Sequence, residues 1–156
     1  MKIKVLNKRE VKKIINLLRE QYSIKEVKLD RIFLLGKDDK LYLIDGKLAD
    51  LDTDNLRINS LGLYFGRLEH GKVRLSIEGS QLIGPLAKKN VVNLSKSEVN
   101  EWVRGNDLNL RDADVAVTLV RFDKDFFGSG KNIKGKLLNF VPKSRRIRAS
   151  ANVQLL

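Results

Sequence analysis

The sequence contains no cysteine, and among its 156 residues it has one histidine, two prolines and one tryptophan. Without cysteine there is no disulfide framework, no thiolate metal site and no cysteine nucleophile. Nowhere do about 18 apolar residues run consecutively, the length a membrane-spanning helix requires. The opening MKIKVLNKREVKK is charged from its second residue and does not read as a signal peptide. These absences lead to the expectation of an intracellular protein with no membrane partner: cytoplasmic, or nucleolar in a eukaryote. The most uneven shortage is of acid, because from Phe126 to the C-terminus there is neither Asp nor Glu.

What fills that stretch is FFGSGKNIKGKLLNFVPKSRRIR, with Lys131, Lys134, Lys136, Lys143, Arg145, Arg146 and Arg148. Phe126, Phe127, Ile133, Leu137, Leu138, Phe140, Val141 and Ile147 lie between them, too much apolar surface for a solvated tail. The whole chain has 31 basic against 19 acidic residues, a net charge of +12 and a pI near 10.0. A field of that sign recruits polyanions. The segment reads as basic strands packed on a core and facing RNA.

Taken in order, Lys2 to Leu6 is a short strand or an extended lead-in. Val11, Ile14, Ile15 and Leu18 then recur at helical spacing, with Asn7 and Glu10 as a capping box and the helix running to about Gln21. RIFLLG and KLYLI, around Lys37-Asp38-Asp39, read as a hairpin, and so do LGLYFGRL and KVRLS around His70-Gly71. A short helix over 77–83 is stopped by Gly84-Pro85. Residues 90–94 form a strand. Ser95 and Glu98 cap a second helix that buries Val99, Trp102 and Val103 and ends at Gly105. Strands follow over 114–122, 126–131, 136–141 and 145–149, and several short strands around one small helix predict a small β-barrel. The domains divide as 1–85 and 86–156.

The motifs that would carry chemistry fail their tests. DLDTD at 50–54 starts like a calcium loop but has Asn55 and Leu61 where that loop needs Gly and Glu. Gly128-Ser129-Gly130-Lys131 lacks the earlier glycine and the following hydroxyl of a phosphate loop, with Asp125 and Asn132 at those positions. Its glycines instead predict close approach of another backbone, an RNA backbone included. No G-x-G-x-x-G fingerprint occurs. The only histidine, His70, falls in a turn without a catalytic partner. No cofactor, no metal and no catalytic residue is expected.

From Ser60 to Leu94, SLGLYFGRLEHGKVRLSIEGSQLIGPLAKKNVVNL resembles the Nip-seven family of ribosome-biogenesis factors, as do Arg104-Gly105-Asn106 and Phe127-Gly128-Ser129-Gly130. The resemblance implies an α+β fold, an N-terminal α/β pre-PUA domain followed by a PUA pseudo-β-barrel that binds RNA. Gly128 to Lys131, Leu137-Leu138-Asn139, Pro142-Lys143 and Arg145-Arg146 are similar to the PUA-like domain of Sun/Fmu-type rRNA cytosine methyltransferases, though Leu138 stands where that pattern usually has lysine. Both imply RNA binding, and the first implies pre-rRNA processing in large-subunit assembly. The expected protein is non-catalytic and holds rRNA or pre-rRNA, structured or U-rich, alongside protein partners in assembly. Lys131, Lys136, Lys143, Arg145, Arg146 and Arg148 would contact phosphates, with Lys88, Lys89 and Arg104 at the rim. Rival readings are an adaptor docking an acidic protein partner, or an RNA-modification enzyme or its stand-alone accessory RNA-binding subunit. For the enzyme, Asp50, Asp52 and Asp54 are the place to look.

Overall fold

The computed structural model describes residues 3–46, 62–109 and 116–147. The acidic loop 50–54, Lys2, Ser60, Leu61, Asp114, Val115, Arg148 and Ala149 lie outside the described residues. After a two-residue strand β1 (Lys4–Val5), helix α1 (Lys8–Tyr22) starts where the capping box places it. The Asn7 side chain accepts the Glu10 N–H at 2.9 Å and the Glu10 carboxylate accepts the Asn7 N–H at 3.2 Å, satisfying donors that a helix start leaves free. The helix buries Ile14, Leu18, Gln21 and Tyr22.

The first two hairpins form as expected: β2 (Arg31–Leu35) with β3 (Lys40–Asp45), and β4 (Leu63–Glu69) with β5 (Lys72–Leu75). His70 and Gly71 both take positive φ, 49° and 73°, so the second connection has the primed geometry that matches strand twist. The five strands make an antiparallel sheet in sequence order. Gln21 fastens α1 to its edge: the side-chain amide donates to the Val73 carbonyl at 2.7 Å and its oxygen accepts the Val73 N–H at 3.0 Å. Helix α2 (Ile77–Ile83) follows, capped by the Ser76 hydroxyl, and a 3-10 turn at Gly84–Leu86 ends it.

The second sheet is mixed. Its elements are β6 (Val91–Asn93), α3 (Lys96–Val103), β7 (Leu108–Asn109), β8 (Ala116–Phe122), β9 (Asp125–Ile133) and β10 (Lys136–Asn139). The order is β6-β8-β9-β10-β7, with β6 and β8 parallel and the other pairs antiparallel. The sheet curls into an open half-barrel, and the protein is α+β. Ser95 and Glu98 form the expected capping box, at 3.1 and 2.9 Å.

Successive residues of β8 face opposite ways. Leu119 joins the first core, with Leu18, Tyr22, Phe33, Phe65 and Ile83, while Val120 joins the second, with Val99, Trp102 and Leu137. Trp102 is fully buried, as expected, and its indole N–H donates to the Phe127 carbonyl at 2.8 Å.

Two expectations are corrected, and one strand was not foreseen. The strand predicted from Arg145 is a 3-10 turn, Lys143–Arg145, and Arg146 and Ile147 are not in a strand. The ladder stops because the Asn139 side chain takes the Val141 N–H at 2.8 Å and Pro142 has no donor to continue it. Gly128 and Gly130 lie within β9 and do receive a close neighbour, but it is the chain itself. A Cβ at Gly130 would come within 2.6 Å of the Leu138 carbonyl and 2.7 Å of Trp102. The Gly128 N–H donates to the Ser80 hydroxyl at 2.8 Å, and the Ser129 hydroxyl donates to the Leu75 carbonyl at 2.7 Å. Residues 128–130 are all buried. Strand β7 has no counterpart in the sequence reading; two residues between polar neighbours carry no periodic signal.

Candidate nucleic-acid interface

The expected phosphate ligands fall into groups with different duties. Lys131 and Lys136 share one face of the β9–β10 pair, since Lys131 lies opposite Leu138, two residues along from Lys136. Lys136 is exposed and sits 3.7 Å from Asp107. Lys143 is exposed in the 3-10 turn, and among the described residues neither it nor Lys131 makes an ion pair. Arg145 turns toward α2 and pairs with Glu78. Lys88 and Lys89 are exposed, while their backbone N–H groups donate to the Tyr22 carbonyl at 2.8 and 3.3 Å. Next to them Asn90, at φ 59°, donates from its side chain to the Gln21 carbonyl at 2.6 Å. A sharp backbone position tied to α1 suits asparagine better than a long basic side chain.

Arg104 and Arg146 belong to the end of α3. Arg104 is its C-cap, and the Arg146 Nε donates to the Val141 carbonyl at 2.9 Å while its stem lies over Gly105. Cations at a helix C-terminus are held by the dipole there. Arg148 lies outside the described residues. Of the expected ligands, Lys131, Lys143, Lys88 and Lys89 are thus exposed or half-exposed without an ion pair among the described residues, and Arg145 and Arg146 are committed to the fold.

Beside Arg145 the two sheets leave a cleft of about 460 Å³, walled by Tyr42, Tyr64, Ser76, Glu78 and Pro142. A second hollow of about 230 Å³ shares Tyr64, Ser76 and Pro142 in its wall and adds Lys40, Arg67, Arg74 and Phe140. Burial raises the phenol pKa of both tyrosines; for Tyr64 the Arg74 guanidinium works in the opposite direction. None of these first-sheet residues was singled out by sequence. The signal was the alternation in KLYLI and LYFGRL, which puts Lys40, Tyr42 and Tyr64 on the side away from the buried leucines and Phe65.

A curled five-stranded sheet, closed on one side by a short capped helix around a buried tryptophan, is consistent with a PUA-like domain, a class that generally binds RNA. In sequence, residues 89–147 match the family of the PUA domain of methyltransferase RsmF. The match covers β6 through the 3-10 turn, which is the whole second sheet with α3. No curated protein matches the chain. The match agrees with the likeness of the C-terminal segment to methyltransferase PUA-like domains, and it does not confirm membership of the Nip-seven family.

Proposed function

We propose that the protein is a non-catalytic RNA-binding protein that holds rRNA or pre-rRNA during large-subunit assembly in the cytoplasm, or in the nucleolus of a eukaryote. In this reading residues 1–85 are a pre-PUA-like domain and residues 86–156 the RNA-binding domain. The observation that carries it is the coincidence of a PUA-like sheet at 89–147 with a segment, from Phe126 onward, that has seven cations and no acid. Phosphate contacts position the strand, and unpaired bases supply selectivity.

Lys131 and Lys143 are the side chains to alter, because they carry charge without a structural bond among the described residues. If about four phosphates of a single strand are neutralised, log affinity falls with log salt at a slope near −3. Lys131→Glu with Lys143→Glu is expected to weaken binding of a short oligoribonucleotide by tenfold or more and to flatten that slope by about 1. Fluorescence anisotropy over a salt series reads both quantities. A slope unchanged in the double variant would remove these two side chains from the contact.

A further inference from the structure

The first sheet carries a charge arrangement that its own stability does not explain. Lys40 lies directly opposite Arg67, and Arg67 directly opposite Arg74, so three cations stand in one row across β3, β4 and β5. Neighbouring strands are about 4.8 Å apart, which sets the roots of the row within about 10 Å. Like charges directly opposite in a sheet repel and destabilise it. Arg74 is relieved: it bonds Glu69 at 2.9 Å and lies 4.1 Å over the Phe140 ring. Lys40 and Arg67 make no ion pair among the described residues, and Lys40 leans over Tyr64 at 5.9 Å. An anion between them would remove the repulsion.

Next to that row stand two aromatic rings. Tyr42 and Tyr64 are cross-strand neighbours with ring centroids 5.6 Å apart and planes tilted by 45°. Both are only half-buried and border the 460 Å³ cleft, whose far wall is Pro142 and Arg145 of the PUA-like domain. That volume falls within the range of small-molecule sites, about 300–1,000 Å³. Aromatic faces beside a track of cations are what single-stranded nucleic-acid grooves are made of, since every base offers a π-face and every linkage a charge.

We propose that this cleft between the two sheets holds an unpaired nucleotide of an RNA strand, its base against Tyr42 and Tyr64 and its phosphates on Lys40 and Arg67. The proposal rests on the RNA-binding reading above and extends the contact surface from the PUA-like domain onto the first sheet. Arg74 and Arg145, already neutralised by Glu69 and Glu78, hold the walls and leave the anion to the other two.

The test measures binding of a short single-stranded oligouridine to the full chain by anisotropy. Tyr42→Leu with Tyr64→Leu is expected to weaken it by about tenfold or more, as loss of base stacking does. The phenylalanine pair, Tyr42→Phe with Tyr64→Phe, keeps the rings and is expected to bind as the parent does. Lys40→Gln with Arg67→Gln is expected to flatten the salt slope by about 1. Photocrosslinking of the unaltered protein with 4-thiouridine RNA is expected to label a peptide containing Tyr42 or Tyr64, and needs no variant to fold. If Lys131→Glu with Lys143→Glu abolishes binding while both cleft variants bind normally and no crosslink reaches either tyrosine, the cleft proposal is wrong and the RNA-binding reading survives. If the unaltered protein binds no RNA, both are wrong. A polyglutamate peptide that competes as well as the RNA at equal ionic strength would show that the cleft reads charge without a base, and would also overturn the proposal.

Discussion

Tyr22 is a large polar side chain placed where a leucine would be expected. It is fully buried at the end of α1, in the first core with Leu18, Phe33 and Phe65. Burial raises its phenol pKa well above the ordinary 10.0. Between that value and the folded one, the phenol ionises in the unfolded chain and stays neutral in the native protein. The folded state then binds the extra proton, so stability is complete below pH about 10 and is lost as pH rises through the folded value. Tyr22→Phe removes this pH dependence. Urea midpoints taken from neutral pH to about pH 11 are expected to fall less steeply for the phenylalanine variant than for the parent. Parallel curves would mean that the phenol reaches solvent in the native state.

The elements themselves were largely legible, because what starts and stops them is local. Asn7 with Glu10, Ser95 with Glu98, and His70-Gly71 act within a few residues of chain, and each stands where the sequence placed it. The end of the basic segment was not legible, because Asn139 and Pro142 decide it by withdrawing ladder donors, whereas β-propensity alone favours continuation. Helix α3 shows how such an end is secured. Gly105 takes φ 95°, a region that side chains with a Cβ avoid, and the Arg146 stem fills the space where that Cβ would stand. Gly105→Ala therefore meets both backbone strain and a displaced arginine. It is expected to destabilise the protein by about 1–2 kcal/mol, measured by chemical denaturation. Arg146→Ala in the same background should recover part of that loss, since it removes the obstructing stem. Equal stability of Gly105→Ala and the parent would show that the turn has room to relax.

At the scale of the molecule, the candidate site was half legible for a definite reason. A run of charge without acid is visible along one dimension, so the second sheet declared itself. Alternation puts Lys40 and Tyr42 on one face, but their meeting with Tyr64 and Arg67 depends on strand register and on the approach of Pro142 and Arg145, which no spacing in the chain encodes. The same approach ties the two halves energetically. Leu119 and Phe126 of the second sheet are buried in the first core, Gly128 and Ser129 bond to Ser80 and Leu75, and Asn90 bonds to Gln21. Separating the sheets would expose two large apolar side chains, at a cost of about 1.5–3 kcal/mol each, and exchange several hydrogen bonds for water at a net cost of about 0.5–1.5 kcal/mol each. Together these penalties are comparable to the whole stability of a domain, about 5–15 kcal/mol. The protein is therefore expected to unfold in one cooperative step even though its sequence suggests a division near Pro85. Trp102 fluorescence reports the second core alone and far-ultraviolet circular dichroism reports both halves, so the two urea curves should superimpose. Should the tryptophan signal change at a lower urea concentration than the dichroism, the second sheet unfolds by itself, and the shared packing is too weak to hold the cleft walls in register.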